Sequence, residues 1–222
     1  MRFRFWAAFA VGVFSFASAA SAQVSWNGYD WNVDRYDTEK FDPIGPHLGR
    51  ADVLNILLGD TGYIANRPAP FNSTFYNTQG RKALVNLPGS TFVTGDLYLP
   101  GSWAAQQAAG WKAAGLWGES AKAPNPNDIV GYHIISFSNS STVNGFQGAA
   151  VPGMGGRFAV FDDDTGVWNV VNATINYDAW NTVRFEVHPD HVDFYVNGTL
   201  VHTDNVVDID PQNYLSRSSS TR

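Results

Sequence analysis

Residues 180–202 read WNTVRFEVHPDHVDFYVNGTLVH, and this stretch decides the fold. Apolar and polar residues alternate from 183 to 188, and the alternation resumes from 192 to 196 after the Pro189-Asp190 pair. Asn197-Gly198 supplies the positive φ angles of a tight hairpin turn, so residues 199–203 are expected to fold back antiparallel. The pattern predicts a three-stranded meander with one buried face.

The first 22 residues have the pattern of a secretory signal peptide. A basic start at Arg2 and Arg4 precedes an almost wholly apolar run, and small residues at 20–22 precede Gln23. The apolar run is shorter than the roughly 20 residues that a membrane-spanning helix needs. We therefore expect export with removal of residues 1–22, a secreted or periplasmic mature chain, and no membrane insertion afterwards.

The charge of the mature chain argues against nucleic acid and anionic lipid as partners. Loss of Arg2 and Arg4 from the 14 Lys and Arg leaves 12 against 20 Asp and Glu, a formal charge of −8. Such a surface repels polyanions. The sequence contains no cysteine, so no disulfide is expected, and about 200 residues can bury a sufficient core without one.

Glycine, proline and asparagine punctuate apolar runs of strand length along the whole chain. Many short strands with turn signals between them predict an all-β antiparallel two-sheet sandwich or jelly roll, in a single domain over residues 23–215. The predicted strands are 53–58, 73–78, 83–87, 91–99, 113–118, 129–138, 157–162, 166–171 and the meander. Residues 26–50, 100–111 and 138–156 are expected to be irregular.

Several segments resemble the concanavalin A-like lectin/glucanase superfamily, including its laminin G-like branch. They are the meander, WNGYDWNVDRY at 26–36, FYNTQGRKALVNLPGSTFVTGDLYLPGSW at 75–103 and KAAGLWGES at 112–120. They look like those of secreted bacterial members of undefined function. The resemblance implies a jelly roll that is closed by a last strand paired with the N-terminal strand. Here residues 216–222 are predicted to form a polar tail instead, so no closing strand is expected: either it is absent or the chain is a truncated form.

No catalytic set is predicted for glycoside hydrolysis or for polysaccharide elimination. Retaining glucanases of the superfamily carry Glu-x-Asp-x-Glu, and none of Glu39, Glu119 and Glu186 has a carboxylate two residues away. The motifs of the alginate lyases are also absent. A polysaccharide-degrading enzyme remains the alternative, with Glu119, Tyr132 and His133 as the residues to test.

Two clusters suggest metal ions, and neither leads to a predicted site. Asp162-Asp163-Asp164 is typical of a hairpin turn. Calcium is the one cofactor that this turn could bind, because closely spaced carboxylates suit a hard cation. His188 and His191 flank the Pro189-Asp190 turn and could hold a metal ion with Asp190, but a strand histidine and a turn histidine are expected to point in unrelated directions. The sequence therefore predicts no metal ligands and no other cofactor.

The aromatic content favours carbohydrate binding. Tryptophan faces stack on sugar rings while nearby polar groups bind the hydroxyls, which suits a neutral glycan. The candidate ligand-binding residues are Trp103, Trp117, Glu119, Tyr132, His133 and Trp168. Core packing is the competing interpretation for each tryptophan, and for His133 a hydrogen bond within the sheet is favoured. An adhesive or structural cell-surface protein without a small ligand is a further alternative.

Overall fold

The structure is a computed structural model. It describes residues 24–26, 28–34, 40–57, 69, 80–85, 91–105, 112–121, 129–139, 156–205 and 214–221. The predicted signal peptide and the predicted strand at 73–78 lie outside these residues, so both stay predictions. No helix in the described part of the chain is long and apolar enough to cross a membrane.

The described residues form short strands and one turn of 3-10 helix, at Gly101–Trp103. The strands are β1 Val24–Trp26, β2 Tyr29–Asp34, β3 Lys40–His47, β4 Arg50–Leu57, β5 Gly80–Val85, β6 Thr91–Leu99, β7 Ala113–Ala121, β8 Ile129–Ser138, β9 Arg157–Asp162, β10 Val167–Val170, β11 Ala179–Val187, β12 Val192–Val196, β13 Thr199–Asp204 and β14 Tyr214–Thr221.

Two antiparallel sheets form a sandwich, which confirms the predicted fold class. The large sheet has the order β1-β2-β5-β14-β7-β8-β9-β10, and the small sheet has the order β13-β12-β11-β6. A separate two-stranded sheet, β3-β4, completes the structure. All strand pairs are antiparallel.

The predicted meander is confirmed as β11, β12 and β13. Burial alternates residue by residue along β11 and β12, as expected for strands with one face in the core. Asn197 and Gly198 have φ angles of 50° and 79°, so both adopt the left-handed conformation that the β12–β13 turn requires. Arginine, glutamate and histidine residues of β11 and the following turn lie on the outer face.

The main core lies between the large and the small sheet. Its buried members include Val93, Leu99, Leu116, Ile135, Phe137, Phe158, Val160, Val183, Phe185, Val187, Val192, Phe194 and Val196. Each such side chain stabilises the fold by roughly 1.5–3 kcal/mol relative to full exposure. The meander supplies nearly half of this set, which explains why its sequence pattern is so clear.

The β3–β4 hairpin packs against β2 and β5 on the inner face of the large sheet. Trp31 and Ala83 pack against Phe41 in a second core, and Arg50 pairs with Asp96 of β6 at 2.9 Å. The expectation of irregular structure over residues 26–50 is therefore wrong. Prolines and two register shifts interrupt β3, which hides its alternation from a reader of the sequence.

The expectation that no strand follows the meander is also wrong. Residues 214–221, most of which were assigned to a polar tail, form β14. This strand lies inside the large sheet, where Leu215 pairs with Val85 of β5 on one side and with Ser120 of β7 on the other. Neighbours on both sides fix β14 as a strand although its serines have little intrinsic preference for one.

Gly118 allows the two sheets to approach each other. A Cβ atom at this position would overlap the tip of the Phe185 ring from the small sheet. We expect Gly118→Ala to lower the free energy of unfolding by about 1–3 kcal/mol, because a packed core tolerates extra atoms poorly. Urea denaturation of the purified variant measures the change.

Gly95→Ala is the matched control on β6. A Cβ atom there would lie 3.8 Å from Leu116 Cδ1, an ordinary contact, and alanine is favoured over glycine within a strand. Its free energy of unfolding is expected to stay the same or to rise. Equal losses in the two variants would contradict the close sheet contact at Gly118.

Candidate functional site

The outer face of the large sheet carries most of the predicted ligand-binding residues. Along β7, Leu116 and Gly118 point to the inter-sheet core, so Trp117 and Glu119 lie on the opposite face. Glu119 pairs across the strands with Tyr132 of β8. We call this surface the Tyr132 face.

The centre of the Tyr132 face is an apolar row across four strands. Trp117 pairs with Ile134, Ile134 with Phe161, and Phe161 with Trp168. The Phe161 and Trp168 rings meet edge to face, with centroids 5.4 Å apart. Both tryptophans are only 7% exposed. In this structure they therefore form a packed floor and offer no open stacking surface.

Tyr132 and Glu119 form the accessible part of the Tyr132 face. Tyr132 is 38% exposed, and Glu119 is half-buried. Both belong to the row next to the apolar one, because β-strands place alternate residues on one face. The structure thus places Trp117, Glu119, Tyr132 and Trp168 on one face of the large sheet.

His133 lies on the other side of the sheet and is not part of the Tyr132 face. It is fully buried between the sheets, where its ring packs on Phe185 at 5.7 Å. Its Nε2 atom is 2.6 Å from the Ser120 hydroxyl. Consecutive strand residues face opposite ways, so Tyr132 and His133 cannot share a site. The favoured alternative of a hydrogen-bonded sheet histidine describes what is observed.

Trp103 is likewise separate from the Tyr132 face. It belongs to the 3-10 turn after β6, and its ring stacks on Phe137 with centroids 6.2 Å apart. Phe137 is a member of the inter-sheet core. The buried Asn139 side chain donates to the Trp103 and Ala105 carbonyls. Trp103 therefore packs against one end of the core.

Asp162 stabilises the β9–β10 turn with its own carboxylate. One oxygen accepts hydrogen bonds from the Thr165 backbone N–H at 2.9 Å and the Thr165 hydroxyl at 2.7 Å. The other accepts from Asn169 at 3.3 Å. Partial burial opposes ionisation, but these hydrogen bonds outweigh it and lower the pKa of Asp162. The predicted turn is confirmed, and Asp162 acts as its cap.

Asp163 and Asp204 form a second pair of carboxylates beside this turn. The Asp163 N–H donates to Asp204 Oδ2 at 3.3 Å. Burial raises the pKa of both carboxyl groups, and their mutual charge adds to the effect for Asp163. Calcium stays the one ion that the sequence of this turn allows, and no metal site is predicted there.

His188 and His191 point the same way, contrary to the sequence argument. Their rings stack with centroids 4.3 Å apart and an angle of 16° between planes. The His188 N–H donates to the His191 carbonyl at 2.9 Å, so the two residues are a cross-strand pair that flanks the two-residue Pro189-Asp190 turn. Residues so paired share one face of a hairpin. A two-residue turn at Pro189-Asp190 places residues 188 and 191 opposite each other, so the turn length in the sequence is the signal that predicts this pair.

Among known proteins, similarity to this chain was found only in solved structures. No protein-family model matches the chain, and no curated protein matches it. A solved structure of sheep galectin-11 with glycerol is similar at 11% identity and a TM-score of 0.34, over 63% of this chain and 90% of that one. Toad ovary galectin with thio-digalactose is similar at 13% and 0.35, over 64% and 98%.

A Bacillus licheniformis β-glucanase structure is similar at 13% identity and a TM-score of 0.37, over 89% of this chain and 82% of that one. These neighbours are thus two galectins and a glucanase. At such identities and TM-scores the comparisons assign neither a family nor an activity. The two-sheet sandwich is observed directly, and membership of the concanavalin A-like superfamily stays a prediction.

The burial of His133 predicts acid sensitivity. Desolvation lowers its pKa from 6.5 to about 4, so the unfolded chain binds a proton in a pH range where the folded protein does not. The stability due to neutral His133 is complete above the unfolded pKa and is lost as the pH falls from 6.5 towards 4. The loss is expected to reach about 3 kcal/mol.

Urea denaturation between about pH 7 and pH 4 measures this dependence. His133→Gln removes the titrating group, so its free energy of unfolding is expected to fall less steeply with acid than that of the wild type. His47→Gln changes an exposed histidine and is the control with the wild-type slope. An unchanged slope in His133→Gln would contradict the assignment.

Proposed function

We propose that the protein binds a carbohydrate on the Tyr132 face. One observation carries the proposal: the exposed Tyr132 ring lies directly across the strands from the Glu119 carboxylate. An aromatic ring offers a flat surface for the C–H face of a sugar, and a neighbouring carboxylate accepts hydrogen bonds from its hydroxyls.

The packed apolar row beside this pair supports binding by holding it in place. Trp117 and Ile134 are buried next to Glu119 and Tyr132 on the same two strands. Side chains on rigid strands lose less conformational entropy on binding than side chains on loops. A shallow site of this kind suits a weakly held, extended glycan better than an enclosed small molecule.

The proposed ligand is neutral, and the proposed location is outside the cytoplasm. The acidic mature chain favours a neutral polymer over an anionic one. The signal-peptide pattern of residues 1–22 supports secretion, where such polymers are met. Neither nucleic acid nor a lipid bilayer is proposed as a partner.

A lectin-like function fits better than the enzyme alternative. The candidate catalytic residues of the sequence are Glu119, Tyr132 and His133. His133 lies on the inner face of the large sheet, whereas Glu119 and Tyr132 lie on its outer face. A proton acceptor must lie within hydrogen-bond reach of the group that it serves. His133 is fully enclosed and cannot serve a ligand on the Tyr132 face.

Glycan-array screening followed by calorimetry with the best neutral oligosaccharide tests the proposal. Tyr132→Ala is expected to weaken binding by at least about tenfold, because it removes the stacking surface. Tyr132→Phe keeps the ring and is expected to retain most of the affinity. Glu119→Gln is expected to weaken binding less than Tyr132→Ala, since an amide still bonds to hydroxyl groups.

Phe92→Ala is the matched control, since Phe92 is an exposed strand aromatic on the small sheet. Its affinity is expected to equal that of the wild type. The proposal fails if no neutral glycan binds, or if Phe92→Ala abolishes binding while Tyr132→Ala does not. Melting curves of each variant confirm that it is folded.

A further inference from the structure

Four charged or titratable side chains lie together on the outer face of the small sheet, at the β11–β12 turn. Glu186 pairs with Asp193 across the strands, and His188 pairs with His191 one step nearer the turn. The four residues therefore occupy two adjacent rows of one hairpin face. We call this cluster the His188 cluster.

The nitrogen and oxygen atoms of the His188 cluster converge on one point. His191 Nε2 lies 3.7 Å from Asp193 Oδ2, and His188 Nε2 lies 3.9 Å from the same oxygen. His188, His191 and Asp193 each offer one atom to a group within which all distances are at most 4.8 Å. Glu186 Oε2 adds a fourth atom, 3.6 Å from His188 Nε2.

These separations suit a tetrahedral zinc site. Zinc binds imidazole nitrogen and carboxylate oxygen at about 2.0–2.2 Å, which places neighbouring ligand atoms about 3.4 Å apart. The separations of both Nε2 atoms from Asp193 Oδ2 are only slightly longer. Small rotations of the side chains would bring the atoms within bonding distance of one ion.

Two hydrogen bonds hold the cluster in the form that a metal needs. His191 Nδ1 is 2.6 Å from Asp190 Oδ1. An ionised carboxylate only accepts, so in the neutral imidazole Nδ1 carries the proton and Nε2 has the lone pair that a metal ion would bind. On the other side, the Thr203 hydroxyl donates to Asp193 Oδ1 at 2.6 Å. Asp193 Oδ2 accepts a longer hydrogen bond from the Tyr195 hydroxyl, at 3.4 Å, and faces the two histidine Nε2 atoms.

The charge pattern of the cluster favours a bound cation. Glu186 and Asp193 are like charges directly opposite each other, which destabilises an antiparallel pair. Arg184 contacts Glu186 Oε1, and the Oε2 atom still faces His188. A divalent ion between the carboxylates and the imidazoles would turn this repulsion into attraction.

We propose that His188, His191 and Asp193 bind a divalent transition-metal ion, with Glu186 as a fourth ligand, and that zinc fits best. Two imidazoles and carboxylate oxygens suit zinc or its neighbours in the first transition row, whereas calcium takes oxygen ligands. His188 and His191 are 30% and 31% exposed, so an ion can enter from solvent. The ion would join β11 to β12 beside their turn.

Calorimetric titration of the full chain with zinc tests this site. Wild type is expected to bind one zinc ion per chain, with a matching rise in melting temperature. His188→Gln and His191→Gln are each expected to weaken binding by at least about tenfold, and Asp190→Asn by about tenfold through loss of its support for His191. Zinc is also expected to shift the imidazole NMR signals of His188 and His191.

His47→Gln is the control, because His47 is an exposed histidine on the separate β3–β4 hairpin. It is expected to bind zinc as wild type does. Absence of saturable zinc binding overturns the proposal, as does undiminished binding in the double variant His188→Gln/His191→Gln. Binding of calcium but not zinc at these residues also overturns it. The cluster lies on the opposite sheet from the Tyr132 face, so glycan binding is tested independently.

Discussion

The close contact between β7 and β11 governs the rest of the structure. Phe185 of the small sheet fits over Gly118 of the large one, and the same ring packs on His133. Because the strands alternate, this contact turns Trp117 and Glu119 outwards on one sheet and Arg184 and Glu186 outwards on the other. Both proposed binding surfaces thus follow from a single inward orientation, and the neutral histidine is held where the sheets meet.

The sequence predicted the elements that have strong local signals. The meander was predictable because its core residues alternate without interruption and its turn carries Asn197-Gly198, whose backbone angles are as expected. The β3 strand was not, because prolines and register shifts break its pattern. The β14 strand was not, because its serines show no alternation and its pairing comes from distant partners. Such non-local pairing leaves no trace in a window of sequence.

The candidate sites differ in what their prediction requires. Some need only the alternation of faces along one strand, and others need the pairing of residues across two strands. The alternation of faces along single strands groups Trp117 with Glu119 and separates Tyr132 from His133, and the structure places Tyr132 and His133 on opposite faces. Predicting that His188 and His191 lie together requires the register of β11 and β12 across the Pro189-Asp190 turn. Their positions along the chain alone suggest that the two side chains diverge. A two-residue turn instead keeps its flanking residues paired, so their rings stack.

The position of β14 bears on how the chain reaches its native state. In the described sheet, β14 alone provides the backbone hydrogen bonds that join β1-β2-β5 to β7-β8-β9-β10. The strand that joins them follows all the others in the chain and pairs residue 215 with residue 85. Such long-range pairing makes folding slow, because the chain loses the entropy of a large loop before the paired strands form stabilising contacts. During synthesis the two parts of the large sheet that the structure describes stay unjoined until β14 emerges, so this strand completes the described sheet.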